Sequence, residues 1–192
     1  MIRLAIIRHG HTPWNRAGQI QGRTDIALEK QAAADLAALK LPQGWAKADL
    51  VASPLKRATQ TARLIADRDA TEVPALTEMD WGDWEGKKGL DLKADPNSGF
   101  QDIEHWGWDY RPPNGESPRD VAARLNPFVQ ALQRDTIAVC HIGIMRVLLA
   151  QATGWDFDGP APFQIKRNRL YVMDWDRSTL SVSGDPIRLE AR

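Results

Sequence analysis

The sequence predicts an α/β fold: a three-layer α/β/α sandwich around a mostly parallel central sheet. Short apolar runs of strand length alternate along the chain with longer segments of helical spacing, the pattern of strand–helix–strand units. The runs are apolar at consecutive positions, as strands covered on both faces are. The length of 192 residues suits one domain with a sizeable core. No repeat, low-complexity tract or linker divides it, so residues 1–192 read as a single domain with an irregular insertion at about 77–117.

The elements follow in order. Ile2–Ile7 is a buried strand, and residues 10–27 are a polar loop rich in Gly, Gln, Asn and Arg. Leu28–Leu39 has helical spacing and is ended by Pro42 and Gly44. Asp49–Ser53 is a second strand. Pro54 suits a first helical position, and Leu55–Arg68 carries Leu55, Ala58, Ala62 and Ile65 along one face. Glu72–Ala75 reads as a third strand. Residues 77–117 hold Trp81, Trp84, Trp106 and Trp108 with weak periodicity, and a short helix is expected around Asp102–Trp108. Ser117 caps a helix running to Leu132 with Pro118 next in line. Thr136–Cys140 is a fourth strand, followed by a helix over Ile142–Thr153 that stops at Gly154. Leu170–Trp175 and Leu180–Ser183 form a closing hairpin across Asp176-Arg177-Ser178.

Composition excludes several classes. The 25 basic and 25 acidic residues give a formal charge of +0, so no global field draws the chain to nucleic acid or a membrane. Cys140 is the only cysteine, which rules out an intrachain disulfide; it reads as a buried core thiol. No Cys/His spacing suggests a structural zinc. The N-terminal apolar run is too short for a signal peptide, and no run nears the ~20 residues of a membrane span. A cytoplasmic enzyme is the expectation.

Three strand ends carry reactive groups. The first delivers Arg8-His9-Gly10, the second Ser53-Pro54 and a helix with Arg57 on its first turn, the fourth His141-Ile142-Gly143. Parallel strands bring such ends to one rim. Histidines, arginines and helix N-termini together suit a dianion. His is also able to form a covalent intermediate.

These residues resemble the histidine phosphatase superfamily, which includes the phosphoglycerate mutases. Arg8-His9-Gly10-His11-Thr12-Pro13-Trp14-Asn15 is similar to its Arg-His-Gly signature, and Gln21-Gly22-Arg23-Thr24-Asp25 to its next loop. Ser53-Pro54-Leu55-Lys56-Arg57-Ala58-Thr59 resembles the second arginine motif, and Leu76-Thr77-Glu78-Met79-Asp80-Trp81-Gly82 the acid motif. Asn114-Gly115-Glu116-Ser117 and Arg124 match the segment before the last large helix. His141-Ile142-Gly143-Ile144-Met145-Arg146 resembles the second-histidine motif. The matches keep family order over residues 4–149.

The resemblance implies a phosphoglycerate mutase-like fold and a metal-independent phosphatase with no cofactor. His9 would take the phosphoryl group, Arg8, Arg57 and His141 would hold its oxygens, and Glu78 would protonate the leaving oxygen. Asn15, Gln21, Gly22, Arg23 and the backbone of Ile142 would contact substrate, and the segment 77–117 would cover the pocket. The substrate would be a small phosphorylated metabolite, and the chain a monomer or a homodimer. Chemistry agrees with these roles: phosphoryl transfer needs positioning and charge stabilisation above all. Burial beside an anion would raise the pKa of Glu78 and keep its proton available.

The chain departs from the family pattern at Ile142, where Gly is usual, and at Ala27-Leu28-Glu29 and Ala32. The compact chain favours hydrolysis over mutase-type transfer. Trp106-Gly107-Trp108 with Pro112-Pro113-Asn114 also resembles the α-ribazole phosphatase branch. An inactive phospholigand-binding protein on this fold is the alternative of a different class, and the presence of every expected catalytic residue opposes it. His9-x-His11 also looks like the first ligand pair of a metal-dependent hydrolase, but only His105 and His141 remain to complete such a site. His11 reads equally as a loop histidine or a substrate contact. Trp81 and Trp84 read equally as pocket lining or as cover for the sheet edge.

Overall fold

The computed structural model describes residues 1–192. Along the chain come β1 (Ile2–Arg8), α1 (Pro13–Arg16), α2 (Lys30–Ala37), β2 (Leu39–Lys40), β3 (Asp49–Ala52), α3 (Lys56–Ala66) and β4 (Thr71–Glu72). Then follow α4 (Gly89–Ala94), α5 (Pro118–Gln130), β5 (Thr136–Cys140), α6 (Ile142–Thr153), β6 (Arg169–Trp175), β7 (Leu180–Val182), β8 (Ile187–Arg188) and β9 (Glu190–Ala191).

The main sheet has the order β4-β3-β5-β1-β6-β7, with β8 also paired to β6. Strands β4, β3, β5 and β1 are parallel. β6 runs antiparallel to β1, and β7 and β8 antiparallel to β6. β2 and β9 form a separate ribbon.

Alternation along the strands builds two cores. Leu4, Ile6, Ala138 and Cys140 face α5 and α6, where Val121, Leu125, Ile144 and Leu148 meet them. Ala5, Ile7, Ile137 and Val139 face α2 and α3, against Leu36, Ala58, Ala62 and Ile65. This is the predicted three-layer arrangement. Each large aliphatic side chain buried this way contributes about 1.5–3 kcal/mol. Cys140 is fully buried, and burial raises its thiol pKa. No helix is long and apolar enough to cross a membrane.

The long helices match expectation. Ser117 caps α5 in a reciprocal box with Asp120, Pro118 fills the first position, and Gly154 at φ 75° closes α6. The short elements differ from it. The loop after β1 contains α1, capped by Thr12. The helix expected over Leu28–Leu39 is confined to Lys30–Ala37, because Leu39–Lys40 pairs with β9. Pro54 lies outside α3, which starts after the extended Leu55. The third strand is Thr71–Glu72; Pro74, lacking an N–H, opens a tight helical turn instead. Asp102–Trp108 forms turns rather than a helix. Gly107 takes φ 56° and donates its N–H to Phe157 O at 3.1 Å, while Trp106 Nε1 donates to Gln101 O at 3.0 Å. The helical turns of residues 77–117 are instead α4 and a tighter turn over Gly82–Trp84.

Candidate active site

Parallel pairing aligns Arg8 with Cys140 and Ala52 with Val139, so β1, β3 and β5 end on one rim. His9 and His141, each the residue after its strand, come side by side with ring centroids 5.1 Å apart. His141 is the N-cap of α6, and Arg57 is the second residue of α3.

His9 is buried. Its backbone N–H donates to Cys140 O at 3.0 Å. Its ring Nδ1 lies 2.6 Å from Gly10 O. A carbonyl only accepts, so this contact puts the ring proton on Nδ1 and leaves Nε2 with a free lone pair. Burial, with the charges of Arg57, Arg8 and Arg167, holds its pKa well below the usual 6.5. The imidazole is therefore neutral at neutral pH. Gly10 donates its N–H to Thr61 Oγ1 at 3.0 Å, which ties this turn to α3.

Arg57 is fully buried and donates to Gly22 O at 2.6 Å, to Thr24 O at 2.9 Å and to His141 Nδ1 at 3.3 Å. Because Nδ1 of His141 accepts, its proton sits on Nε2. Burial, then His9 and the arginines, lower the His141 pKa well below 6.5. Burial and the neighbouring Arg167 push Arg8 down to about 9.

The buried side-chain polar atoms without a protein partner are Arg8 Nε, Gln21 Nε2 and His141 Nε2. All are donors. An unpaired buried donor costs about 1–3 kcal/mol, so a cluster of them marks a place for an acceptor. Gln21 is held by its other end, accepting from Thr12 Oγ1 at 2.9 Å and Asn15 Nδ2 at 3.3 Å.

Glu78 is buried, with Oε1 accepting from Met79 N at 2.8 Å and Oε2 from Gly143 N at 3.2 Å. Burial raises its pKa against the lowering effect of those two N–H groups. A Cβ on residue 143 would lie 2.4 Å from Glu78 Oε1, so the carboxyl approaches the start of α6 only because Gly143 has none. Arg8, His9, Asn15, Gln21, Glu78 and Ile142 line one cavity of about 200 Å³, closed by Ile20, Trp81 and Phe100. A larger cavity of about 420 Å³, between Leu149, Phe163, Tyr171 and Pro186, contains none of these residues.

Arg57, His141, Gly22 and Arg23 do not line this cavity; Arg57 and His141 stand behind its wall, with the His141 ring 5.1 Å from that of His9. The Gly22 carbonyl is on Arg57. Glu85 accepts from the backbone N–H of Arg23 at 3.1 Å and of Thr24 at 2.6 Å. Burial alone would raise the Glu85 pKa, but these bonds outweigh it and hold the carboxylate below its usual range. Arg23 pairs with Glu116 at 2.9 Å and Asp80 at 3.3 Å. Glu116 also receives Arg124, which makes it a loop partner. Trp81 lines the cavity, whereas Trp84 is buried in the covering segment with its Nε1 on Ser98 O. His11 lies off the cavity wall, and no group of three or more His, Cys, Asp or Glu is clustered to hold a metal.

Sequence reasoning missed Arg167. Its Nε donates to His9 O at 3.1 Å and its Nη2 to Asn15 Oδ1 at 3.0 Å. Burial, then Arg16, lowers its pKa to about 10. It reaches the rim because β6 is antiparallel to β1, so the loop before β6 meets the carboxyl end of β1.

Comparison with known proteins gives a consistent result. A model of the histidine phosphatase superfamily (branch 1) matches residues 4–184. The glucosyl-3-phosphoglycerate phosphatase of Mycolicibacterium vanbaalenii is 31% identical over 180 residues, covering 81% of this chain and 76% of the relative. The 2,3-bisphosphoglycerate-dependent phosphoglycerate mutase of Bartonella henselae is 33% identical over 169 residues, covering 79% and 81%. The crystal structure of TTHB049 from Thermus thermophilus superposes with a TM-score of 0.74 at 29% identity, covering all of both chains.

Proposed function

Because the chain belongs to the histidine phosphatase superfamily (branch 1), we propose that it hydrolyses a small phosphomonoester through a phosphohistidine on His9. The observation that carries this is three unpaired buried donors around a neutral His9 whose Nε2 is free: those of Arg8 and Gln21, which line one cavity with it, and that of His141, whose ring centroid is 5.1 Å from its own. Donors without acceptors fit a phosphoryl group with three oxygens.

In the first step Nε2 of His9 attacks phosphorus and the bond to the leaving oxygen breaks. Protonated Glu78 gives its proton to that oxygen, so a neutral alcohol departs. Arg8, Gln21 and His141 donate to the phosphoryl oxygens; Arg57, expected to hold those oxygens too, already donates from each of its nitrogens to His141 Nδ1, Thr24 O or Gly22 O, and so orients His141 and adds positive charge. In the second step water attacks phosphorus and the N–P bond breaks. Glu78, now a carboxylate, takes the water proton. Inorganic phosphate leaves and His9 is neutral again. The positive charge this transfer needs comes from Arg8 and Arg57.

The test is a rapid alkaline quench with a ³²P-labelled aryl phosphate. The expected result is acid-labile, alkali-stable label on the protein, lost with all turnover in His9→Ala while the fold persists. Steady turnover by that variant overturns the nucleophile. The mutase relative makes phosphoryl transfer the second reading. Interconversion of phosphoglycerates dependent on 2,3-bisphosphoglycerate, with little phosphate released, would favour it.

A further inference from the structure

The reacting cavity of about 200 Å³ is smaller than the ~300 Å³ at which pockets for larger ligands usually begin, so a ring-sized leaving alcohol extends beyond it. Trp81 and Phe100 are shared with a second cavity of about 260 Å³, lined also by Gln101, Glu104, Trp106 and Arg146. Arg146 and Glu104 border a third, about 240 Å³, which meets the reacting cavity at Ile142.

Arg146 lies one turn beyond Ile142 on the same face of α6. Burial lowers its pKa, and the charges acting on it are the carboxylates of Glu78 and Glu104, neither hydrogen-bonded to it. Its own charge bears on Arg8. A half-buried guanidinium without a protein hydrogen bond therefore stands within electrostatic reach of the phosphoryl cradle. The surrounding groups limit what it can bind. Glu104 borders both outer cavities and opposes another anion, whereas Asp102 on the second is paired with Lys93 at 2.6 Å. Trp81, Phe100 and Trp106 offer apolar ring faces. A hydroxyl both donates and accepts, so adjacent hydroxyls satisfy a guanidinium and a carboxylate together.

We propose that Arg146 and Glu104, set against Trp81 and Phe100, form a leaving-group subsite for a neutral polyhydroxylated ring, and that sugar phosphates are the preferred substrates. This rests on the phosphatase reading.

The experiment compares glucose 6-phosphate with phenyl phosphate, whose ring has no hydroxyls, on the intact protein. Arg146→Met is expected to lower kcat/KM for glucose 6-phosphate about tenfold, mainly through KM, and to leave phenyl phosphate within about twofold. Glu104→Gln, at an exposed position, is expected to act in the same direction with a smaller effect. Equal losses on both substrates from Arg146→Met, with no selective loss from Glu104→Gln, overturn the subsite. So does a wild-type preference for 3-phosphoglycerate over glycerol 3-phosphate that Arg146→Met abolishes, because that marks an anion site. A wild type inactive on phenyl phosphate overturns the phosphatase reading itself. Activity on phenyl phosphate without Arg146 selectivity overturns only the subsite.

Discussion

The rim and the cover of the reacting cavity are built by different means. On the rim, Arg8, His9, Arg57 and His141 each lie within a few residues of a parallel strand end, and backbone register sets their separations. The cover, residues 77–117, has little regular structure beyond α4. Aromatic contacts hold it: Trp81–Trp106 at 5.6 Å, Trp84–Phe100 at 5.0 Å and Trp106–Tyr110 at 5.4 Å. Register is a discrete property, since a slip of one residue turns every side chain to the other face. Side-chain packing admits graded changes of shape. Geometry held by register can therefore persist while the shape held by packing varies. Glu78 crosses the division: it opens the covering segment, yet its carboxyl is bound to Gly143 on the rim side.

Glu78→Gln cuts that comparison most deeply. It keeps the shape and removes the acid. The expected loss in kcat is about 10²–10⁴-fold on alkyl phosphates and clearly less on aryl phosphates with good leaving groups. The pH profile supplies the sign. His9 acts when neutral, and its lowered pKa keeps it so down to below 6.5. Glu78 acts when protonated, and its raised pKa extends that form above 4.5. Activity should therefore fall on the alkaline side as Glu78 loses its proton, and the variant should lack that limb. A limb that persists assigns the acid elsewhere.

Gly143→Ala sharpens the link between the two regions. The added methyl meets Glu78 Oε1 at 2.4 Å and Met79 Cβ at 3.1 Å, so the carboxyl must move. A displacement near 1 Å costs about 100-fold in kcat. Helix propensity favours Ala by roughly 1 kcal/mol, which offsets part of the strain in a melting curve. Full activity with a raised Tm would show that Glu78 needs no exact seat. The smallest effect is expected for Tyr110→Phe, which deletes the bond from the Tyr110 hydroxyl to Gly99 O inside the cover. Stability should fall by about 1 kcal/mol with kcat unchanged. A drop in kcat comparable to that of Gly143→Ala would dissolve the distinction between rim and cover.

What was legible in the sequence follows the same division. β1, β5 and α6 announce themselves by apolar runs and by Gly154, so the placement of His9 and His141 on one rim could be read directly. Short elements could not. A helix such as α1 or α4 is too short to be stable alone, and its existence depends on tertiary contacts. The short helix expected around Asp102–Trp108 has only weak periodicity behind it, and positive φ at Gly107 and the indole bond to Gln101 turn the chain instead. Arg167 was hidden because strand pairing is non-local. The hairpin β6–β7 is visible in sequence, whereas the antiparallel seat of β6 beside β1 is not, and only that seat brings the preceding loop to His9. The role proposed for Arg146 depends on cavities that no spacing reveals.

The 22–24 peptide is gripped from both sides, its N–H groups by Glu85 and its carbonyls by Arg57. Such a segment has almost no conformational entropy left to lose when a ligand arrives. Ordering a loop on binding ordinarily detracts from affinity by about 0.5–1.5 kcal/mol for each immobilised side chain. Here that ordering happens once, during folding, and is not repeated at each turnover. The anchor of His141 is thus as rigid before the substrate enters as after the product leaves.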